Sequence, residues 1–379
     1  MKIAIVHDEL VRRGGAEQVT LLMHQAFPDA PIYTSTYNPD LTYDGFKDCK
    51  IITSWFSHIA KNEKKLKRFF FPFSIWSMRS MRLKGYDVVF MSTTTCAKYV
   101  KIDKGTQVIA FCHYPFRLAW FPESYEEYNK ARGLHRLAFN YAVSRIKSID
   151  NNASKQIDWY LTNTPLIKDI IKKCYNPRNE IKVIPASIAM SNFYVAEQPA
   201  GDYYLVVSRL ESHKKVSLVI KAFNQMPDKK LMVVGAGSEK EKLSKMAGTN
   251  ILFKEGLSMD IIAGCYANCK ALIFPQEEDF GLVPIEANAS GRPVIAYGKG
   301  GVTYTTIPYE GHSEQATSLF FYEQTPDAIV KAVNQFETLE FNPSFIRNHA
   351  EKFSEEAFID SVRQFVEEKQ SNKPENIEF

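Results

Sequence analysis

Short apolar runs alternate along this chain with longer stretches of helical periodicity. Lys2 to Val6, Pro31 to Thr34, Val88 to Met91, Val108 to Cys112, Trp159 to Thr162 and Ile181 to Ile184 read as strands. A second series follows at Tyr203 to Val207, Lys230 to Val234, Ile251 to Phe253, Ala271 to Phe274 and Val294 to Ala296. Short buried strands separated by helices imply parallel, doubly wound sheets, because a parallel neighbour is reached only through a crossover. Two series predict an α/β chain of two Rossmann-like domains, as does a length of 379 residues against a prior of about 150 per domain. Polar, turn-rich residues from Ser191 to Asp202 place the boundary near 195, giving domains at 1–195 and 196–350. Phe353 to Glu368 reads as an amphipathic helix within a 351–370 segment, and 371–379 as a polar tail.

The composition, 45% hydrophobic and 24% charged, is that of an ordinary globular protein. No segment approaches the roughly 20 apolar residues of a membrane span, and Ile3 to Val6 is too short for a signal-peptide core, so the expectation is cytoplasmic. The six cysteines show no zinc spacing and read as free thiols of a reducing compartment. Charge is uneven: residues 1–200 hold 28 Lys and Arg against 18 Asp and Glu, so the N-terminal half is the one to place near an anionic surface. Most distinctive is 61–84, where eight basic residues accompany one acid and enclose Phe69-Phe70-Phe71-Pro72-Phe73-Ser74-Ile75-Trp76. Interleaved cations and aromatics suit an anionic lipid interface, and a buried helical hairpin is the other reading. No nucleic-acid-binding motif accompanies the stretch.

The chemistry concentrates in Phe274-Pro275-Gln276-Glu277-Glu278-Asp279-Phe280-Gly281-Leu282-Val283-Pro284-Ile285-Glu286-Ala287. It reads as a strand end, a glycine-containing acidic loop and a helix opened by Pro284, with Glu278 in the loop and Glu286 in the first helical turn. A helix start binds phosphate on its free amides, and carboxylates accept hydrogen bonds from hydroxyls. A nucleotide sugar carries both groups. Arg209 and Lys214 follow the strand Tyr203 to Val207, where two cations can neutralise a diphosphate, although charge alone favours reading them as solvated surface groups. Gly14-Gly15-Ala16-Glu17 opens a helix after the first strand, yet lacks the third glycine of a dinucleotide fingerprint, which counts against a nicotinamide-dependent oxidoreductase. His113 ends another strand, within Phe111-Cys112-His113-Tyr114-Pro115-Phe116-Arg117.

The spacing of Glu278 and Glu286 resembles the two-glutamate signature of GT4 family retaining glycosyltransferases. Ala271 to Pro275 and Gly291-Arg292-Pro293-Val294-Ile295-Ala296-Tyr297-Gly298-Lys299-Gly300-Gly301 resemble the bacterial O-antigen and exopolysaccharide mannosyltransferase branch. The resemblance implies a GT-B fold with a deep interdomain cleft, a last helix crossing back to the first domain, and domain closure that excludes water. It implies transfer of a sugar, mannose from GDP-mannose, to a lipid-linked oligosaccharide, without a metal or other cofactor. The alternatives are a UDP-sugar donor and a non-catalytic, membrane-associated nucleotide-sugar-binding protein. By the same resemblance Arg209 and Lys214 clamp the diphosphate, Gly15 faces the diphosphate or the acceptor, and Glu286 accepts ribose hydroxyls. Glu278 with the backbone of Phe280, Gly281 and Leu282 holds the donor sugar. His113 lines the reaction centre as a positioning and electrostatic group, with Tyr114 and Arg117 on the acceptor side. The chain departs from the family at Lys215, where many members have glycine, and in Ser92 to Cys96 and Pro185 to Ala189.

Overall fold

A computed structural model describes residues 1–59, 73–196 and 201–371. Residues 61–72 of the basic aromatic stretch, 197–200 of the boundary region and nearly all of the polar tail therefore lie outside the described residues. The chain divides into Met1–Pro185 with Phe358–Phe379, and Ala186–Ala357.

The first unit is built on a parallel sheet of β1 (Ile3–His7), β2 (Ile32–Thr34), β3 (Ile51–Thr53), β4 (Val88–Thr93), β5 (Gln107–Cys112), β6 (Trp159–Thr162) and β7 (Lys182–Val183), in the order 3-2-1-4-5-6-7. The second unit has β8 (Tyr203–Val207), β9 (Lys230–Val234), β10 (Ile251–Lys254), β11 (Leu272–Phe274), β12 (Val294–Tyr297) and β13 (Ser318–Phe321), in the order 10-9-8-11-12-13. Each is a doubly wound sheet whose order reverses beside its first strand. Four strands of the described residues escaped the sequence reading, two of them the short pair Arg82–Leu83 and Lys101–Ile102. Ile51–Thr53 is a partly exposed edge strand, and Ser318–Phe321 is an edge strand that follows a long irregular connection.

Burial on both faces explains the strand composition. Ala4, Val6, Val89, Met91, Val108 and Ala110 pack on one face with Ile167 and Ile171; Ile3, Ile5, Val88, Phe90, Ile109 and Phe111 pack on the other with Val19 and Leu22. Period-two alternation therefore separates two cores and not core from solvent, which leaves the strands uniformly apolar. The last helix, Glu355–Ser371, buries Phe358, Val362, Phe365 and Val366 in that second core, a helical stripe that packs this helix on the first unit. The unit boundary falls after Pro185, earlier than the turn-rich stretch suggests. Ile188 and Phe193 explain this: both are buried in the second unit's core, with Phe193 edge-on to Tyr266.

Two buried carboxylates organise the first unit. Asp8, just past β1, accepts the backbone N–H of Thr94 (2.6 Å), Thr95 (2.8 Å) and Ala97 (2.6 Å), which folds the Ser92 to Cys96 segment around one side chain. Burial pushes its pKa up, but His7, the amides and Lys98 outweigh this and hold it below the ordinary carboxylate value. Asp150 is wholly buried and receives Tyr99 Oη (2.9 Å), Trp120 Nε1 (2.8 Å) and Tyr175 Oη (2.8 Å), with Lys98 Nζ 2.9 Å away. Through Trp120 it anchors the short helix Arg117–Trp120 that carries Arg117.

Asp8→Ala leaves three buried amides without their acceptor and is expected to cost about 3 kcal/mol of unfolding free energy in urea titrations. Because the folded pKa is depressed, this contribution is present above the unfolded carboxylate pKa and is lost as pH falls through the folded value. The gap between wild type and variant should therefore narrow below about pH 4. A gap that widened in acid would contradict the assignment.

Candidate active site

In the second unit, Glu278 and Glu286 flank the turn from β11 into the helix Leu282–Ala289. Gly281 makes the turn possible: it caps the helix at φ 86°, a left-handed conformation that glycine alone adopts without strain. A close approach fixes the loop's far side. Gly301 donates its N–H to the Glu278 carbonyl at 2.6 Å, and a side chain there would sit 2.3 Å from the Phe280 carbonyl oxygen. The helix opens at Leu282, two residues before Pro284, so Glu286 lies beyond the first turn in which the sequence reading put it. Pro284 is tolerated at the third position because the first four N–H groups of a helix have no internal acceptor. Phe280 turns its ring into the core, edge-on to Phe353, which leaves its backbone to the loop.

The two glutamates differ in surroundings. Glu278 Oε1 is ion-paired with Lys214 Nζ and accepts Gln276 Nε2 at 3.1 Å; both charged side chains are largely shielded, at 13% and 26% exposure. Glu286 Oε2 accepts the hydroxyl of buried Tyr266 at 2.7 Å, and burial raises its pKa despite that bond. Gln276 and Tyr266 are the residues sequence reasoning did not single out. Gln276 lies inside the acidic run, but nothing in the sequence points to Tyr266, which comes from the distant helix Met259–Asn268.

Lys214 is thus joined to Glu278, while Arg209 is exposed, with no hydrogen bond or ion pair to its guanidinium among the described residues. The Arg209 loop is tied to the loop after β9: Leu210 N–H reaches the Ala236 carbonyl at 2.9 Å, and Ser238 donates to Glu211 through its N–H (3.1 Å) and Oγ (2.6 Å). Lys215 caps the helix Val216–Asn224 at φ 56°. The glycine of many family members suits this left-handed position; lysine takes it at a steric cost of about 1 kcal/mol.

In the first unit, the ends of β1, β4 and β5 bring His7, Ser92 and His113 together. Ser92 Oγ lies 2.9 Å from His113 Nε2 and 3.1 Å from His7 Nδ1, and Thr20 Oγ1 lies 2.9 Å from the same His7 nitrogen. Burial, then His7, pushes the His113 pKa down to about 3, with Asp8 opposing. Gly15 begins the helix Gly15–Ala26 and is exposed, with open space where a side chain would stand. The adjacent Arg12 is held by Glu9 and by Glu17 (3.0 Å). Arg117 stacks on the Tyr114 ring, its guanidinium carbon 4.0 Å from the centroid. His7, Ser92 and Thr20 went unnoticed in the sequence because each reads as an ordinary strand or helix residue.

Residues 195–372 match the family described as Glycosyl transferases group 1. The chain is 23% identical to the Alpha-1,3/1,6-mannosyltransferase ALG2 of Candida glabrata, over 93% of this chain and 88% of that one. It is 28% identical to the O-antigen chain mannosyltransferase RfbU of Salmonella typhimurium, over 50% and 57%. Among solved structures it resembles the sucrose-phosphate synthase of Thermosynechococcus elongatus, with a TM-score of 0.67 at 17% identity over 98% of this chain and all of that one, and Anabaena HepE in complex with UDP, with 0.67 at 15%. Those likenesses establish the fold as GT-B. The chain is a glycosyltransferase whose second half is a group 1 glycosyl transferases domain.

Proposed function

We propose that the enzyme transfers mannose from GDP-mannose, with retention of configuration, to a lipid-linked oligosaccharide. The observation that carries this reading is the ion pair of Lys214 with Glu278 beside the free amides of the helix Leu282–Ala289, at the point where the sheet order reverses. Similarity to the mannosyltransferases supports mannose as the sugar.

The geometry gives each group a task. As the bond from the sugar to the diphosphate breaks, charge grows on the leaving oxygen, and Arg209, Lys214 and the helix amides stabilise it without a metal ion. Lys214 stands between two anions: it neutralises Glu278, which would otherwise repel the diphosphate, and leaves Glu278 Oε2 to accept from a sugar hydroxyl. Glu286 keeps Oε1 for the ribose hydroxyls, and a carboxylate that burial disfavours gains from each donor it finds. The acceptor hydroxyl bonds to the anomeric carbon on the face the diphosphate leaves, and its proton passes to the departing phosphate oxygen.

The lipid side of the reading is supported by the helix Gly133–Ser154. Leu134, Leu137 and Tyr141, at 82%, 65% and 69% exposure, share its outward face, with exposed Arg132 before them and Arg145 beyond. The helix's only acid, Asp150, is buried. Apolar side chains bordered by cations fit the headgroup region of an anionic bilayer. No helix of the described residues is long and apolar enough to cross one.

Incubation with a panel of nucleotide sugars in EDTA should release GDP from GDP-mannose and form an α-linked product. Turnover of a UDP-sugar alone would replace the donor, and neither binding nor turnover with any of them would sink the reading. Lys214→Ala and Glu278→Gln should each lower kcat/KM on the order of 10²-fold. Their double variant should lose far less than the product of the two, since one ion pair is removed twice; independent effects would contradict the coupling. Sedimentation with phosphatidylglycerol vesicles should fall when Leu134, Leu137 and Tyr141 become Ser, and unchanged sedimentation would remove this helix from the lipid contact.

A further inference from the structure

The hydrogen-bonded chain behind His113 has an internal logic. His7 Nδ1 lies 3.2 Å from the Ser92 backbone carbonyl, which can only accept, so the proton of His7 belongs on Nδ1. Thr20 Oγ1 is 2.8 Å from the Ala16 carbonyl, again a pure acceptor, so the Thr20 hydroxyl donates there and its oxygen faces the His7 N–H. The Ser92 hydroxyl is then the remaining donor. Its candidates are the Ala16 carbonyl at 3.4 Å, already served by Thr20, and His113 Nε2 at 2.9 Å. The shorter contact is the only one that gives the Ser92 proton an unserved acceptor. His113 Nε2 therefore accepts, and the single proton of the neutral ring sits on Nδ1.

We infer that Thr20, His7 and Ser92 are positioning residues that fix His113 in its Nδ1–H tautomer, so that it offers substrate one aligned hydrogen-bond donor and no basic nitrogen. No described residue is hydrogen-bonded to His113 Nδ1. The inference rests on the proposed placement of His113 at the reaction centre. The assignment explains why a histidine at such a position does not serve as the base: Nδ1 already holds a proton, and the Nε2 lone pair is bound to Ser92. The low pKa agrees, since protonation would bring a second proton into a buried site where the serine must already donate. His7 and Asp8 are the titratable neighbours that bear on it, the first lowering and the second raising its affinity for a proton. A carbonyl or hydroxyl oxygen of the sugar is the partner such a donor fits.

Two-bond proton–nitrogen correlation spectra of the full chain labelled in histidine nitrogen test the assignment directly. His113 should show a protonated Nδ1 and a bare Nε2 that persist from about pH 7 down to pH 5. A proton on Nε2, or titration of His113 in that range, would overturn the inference. Ser92→Ala should give His113 mixed tautomers and a transfer rate about tenfold lower, and Ser92→Thr should restore both. A Ser92→Ala protein that kept the wild-type tautomer would equally overturn it. The spectra need no substrate, so they stand or fall apart from the glycosyltransferase donor and acceptor assignments, which the nucleotide-sugar panel judges.

Discussion

In a doubly wound parallel sheet, the strands on either side of the order reversal send their connections to opposite faces. No helix then covers the carboxyl ends of those two strands. Both units of this enzyme inherit that constraint, and both concentrate their chemistry there. In the first unit the reversal lies between β1 and β4, where His7 and Asp8 meet Ser92 through Ala97. In the second it lies between β8 and β11, where the Arg209 to Lys214 loop meets the acidic loop ending in Gly281. The remaining features follow from keeping these strand ends open yet rigid. Glycines permit the close turns, the Glu211 to Ser238 strap ties two loops, and Asp8 gathers three amides.

Environment divides the labour of two identical side chains. Glu278 is paired with a cation and remains partly exposed, which fits the proposed contact with a donor sugar beside a charged neighbour. Glu286 is enclosed and held by one tyrosine, and its raised pKa reflects a carboxylate short of donors. A ribose would complete the second site, whereas the first is already balanced by Lys214. The same economy appears in the first unit, where a neutral histidine is kept from basic work by the serine behind it.

Fold class was legible because parallel strands buried on both faces are uniformly apolar, and crossover helices space them regularly. The edge strands Ile51–Thr53 and Ser318–Phe321 were not: the first is half-exposed and loses that signature, and the second, though largely buried, is a short run that follows a long irregular connection instead of a regular crossover helix. Of the candidate site, the residues close in sequence could be named, and among them the structure joins Lys214 to Glu278 in the run from Glu278 to Glu286. Tyr266 and Ser92 could not, because their significance lies only in which atoms the sheet brings within hydrogen-bond reach. The position of Pro284 misled by two residues, since proline is tolerated throughout the first helical positions and marks a helix start without fixing its first residue. The unit boundary shows the limit of composition: Ser191 to Asn192 is polar, yet Phe193 beside it is core.

The central claim is that the donor diphosphate rests where the second sheet reverses its order, on Arg209, Lys214 and the amides that open the helix Leu282–Ala289. Amide hydrogen exchange with and without GDP-mannose measures this most directly. Slowed exchange should appear at Ser208 to Lys215 and at Gly281 to Ile285, strongest at Leu282 and Val283, whose N–H groups have no acceptor within the helix. Nucleotide-dependent protection confined to other segments, with exchange at these two loops unchanged, would contradict the account.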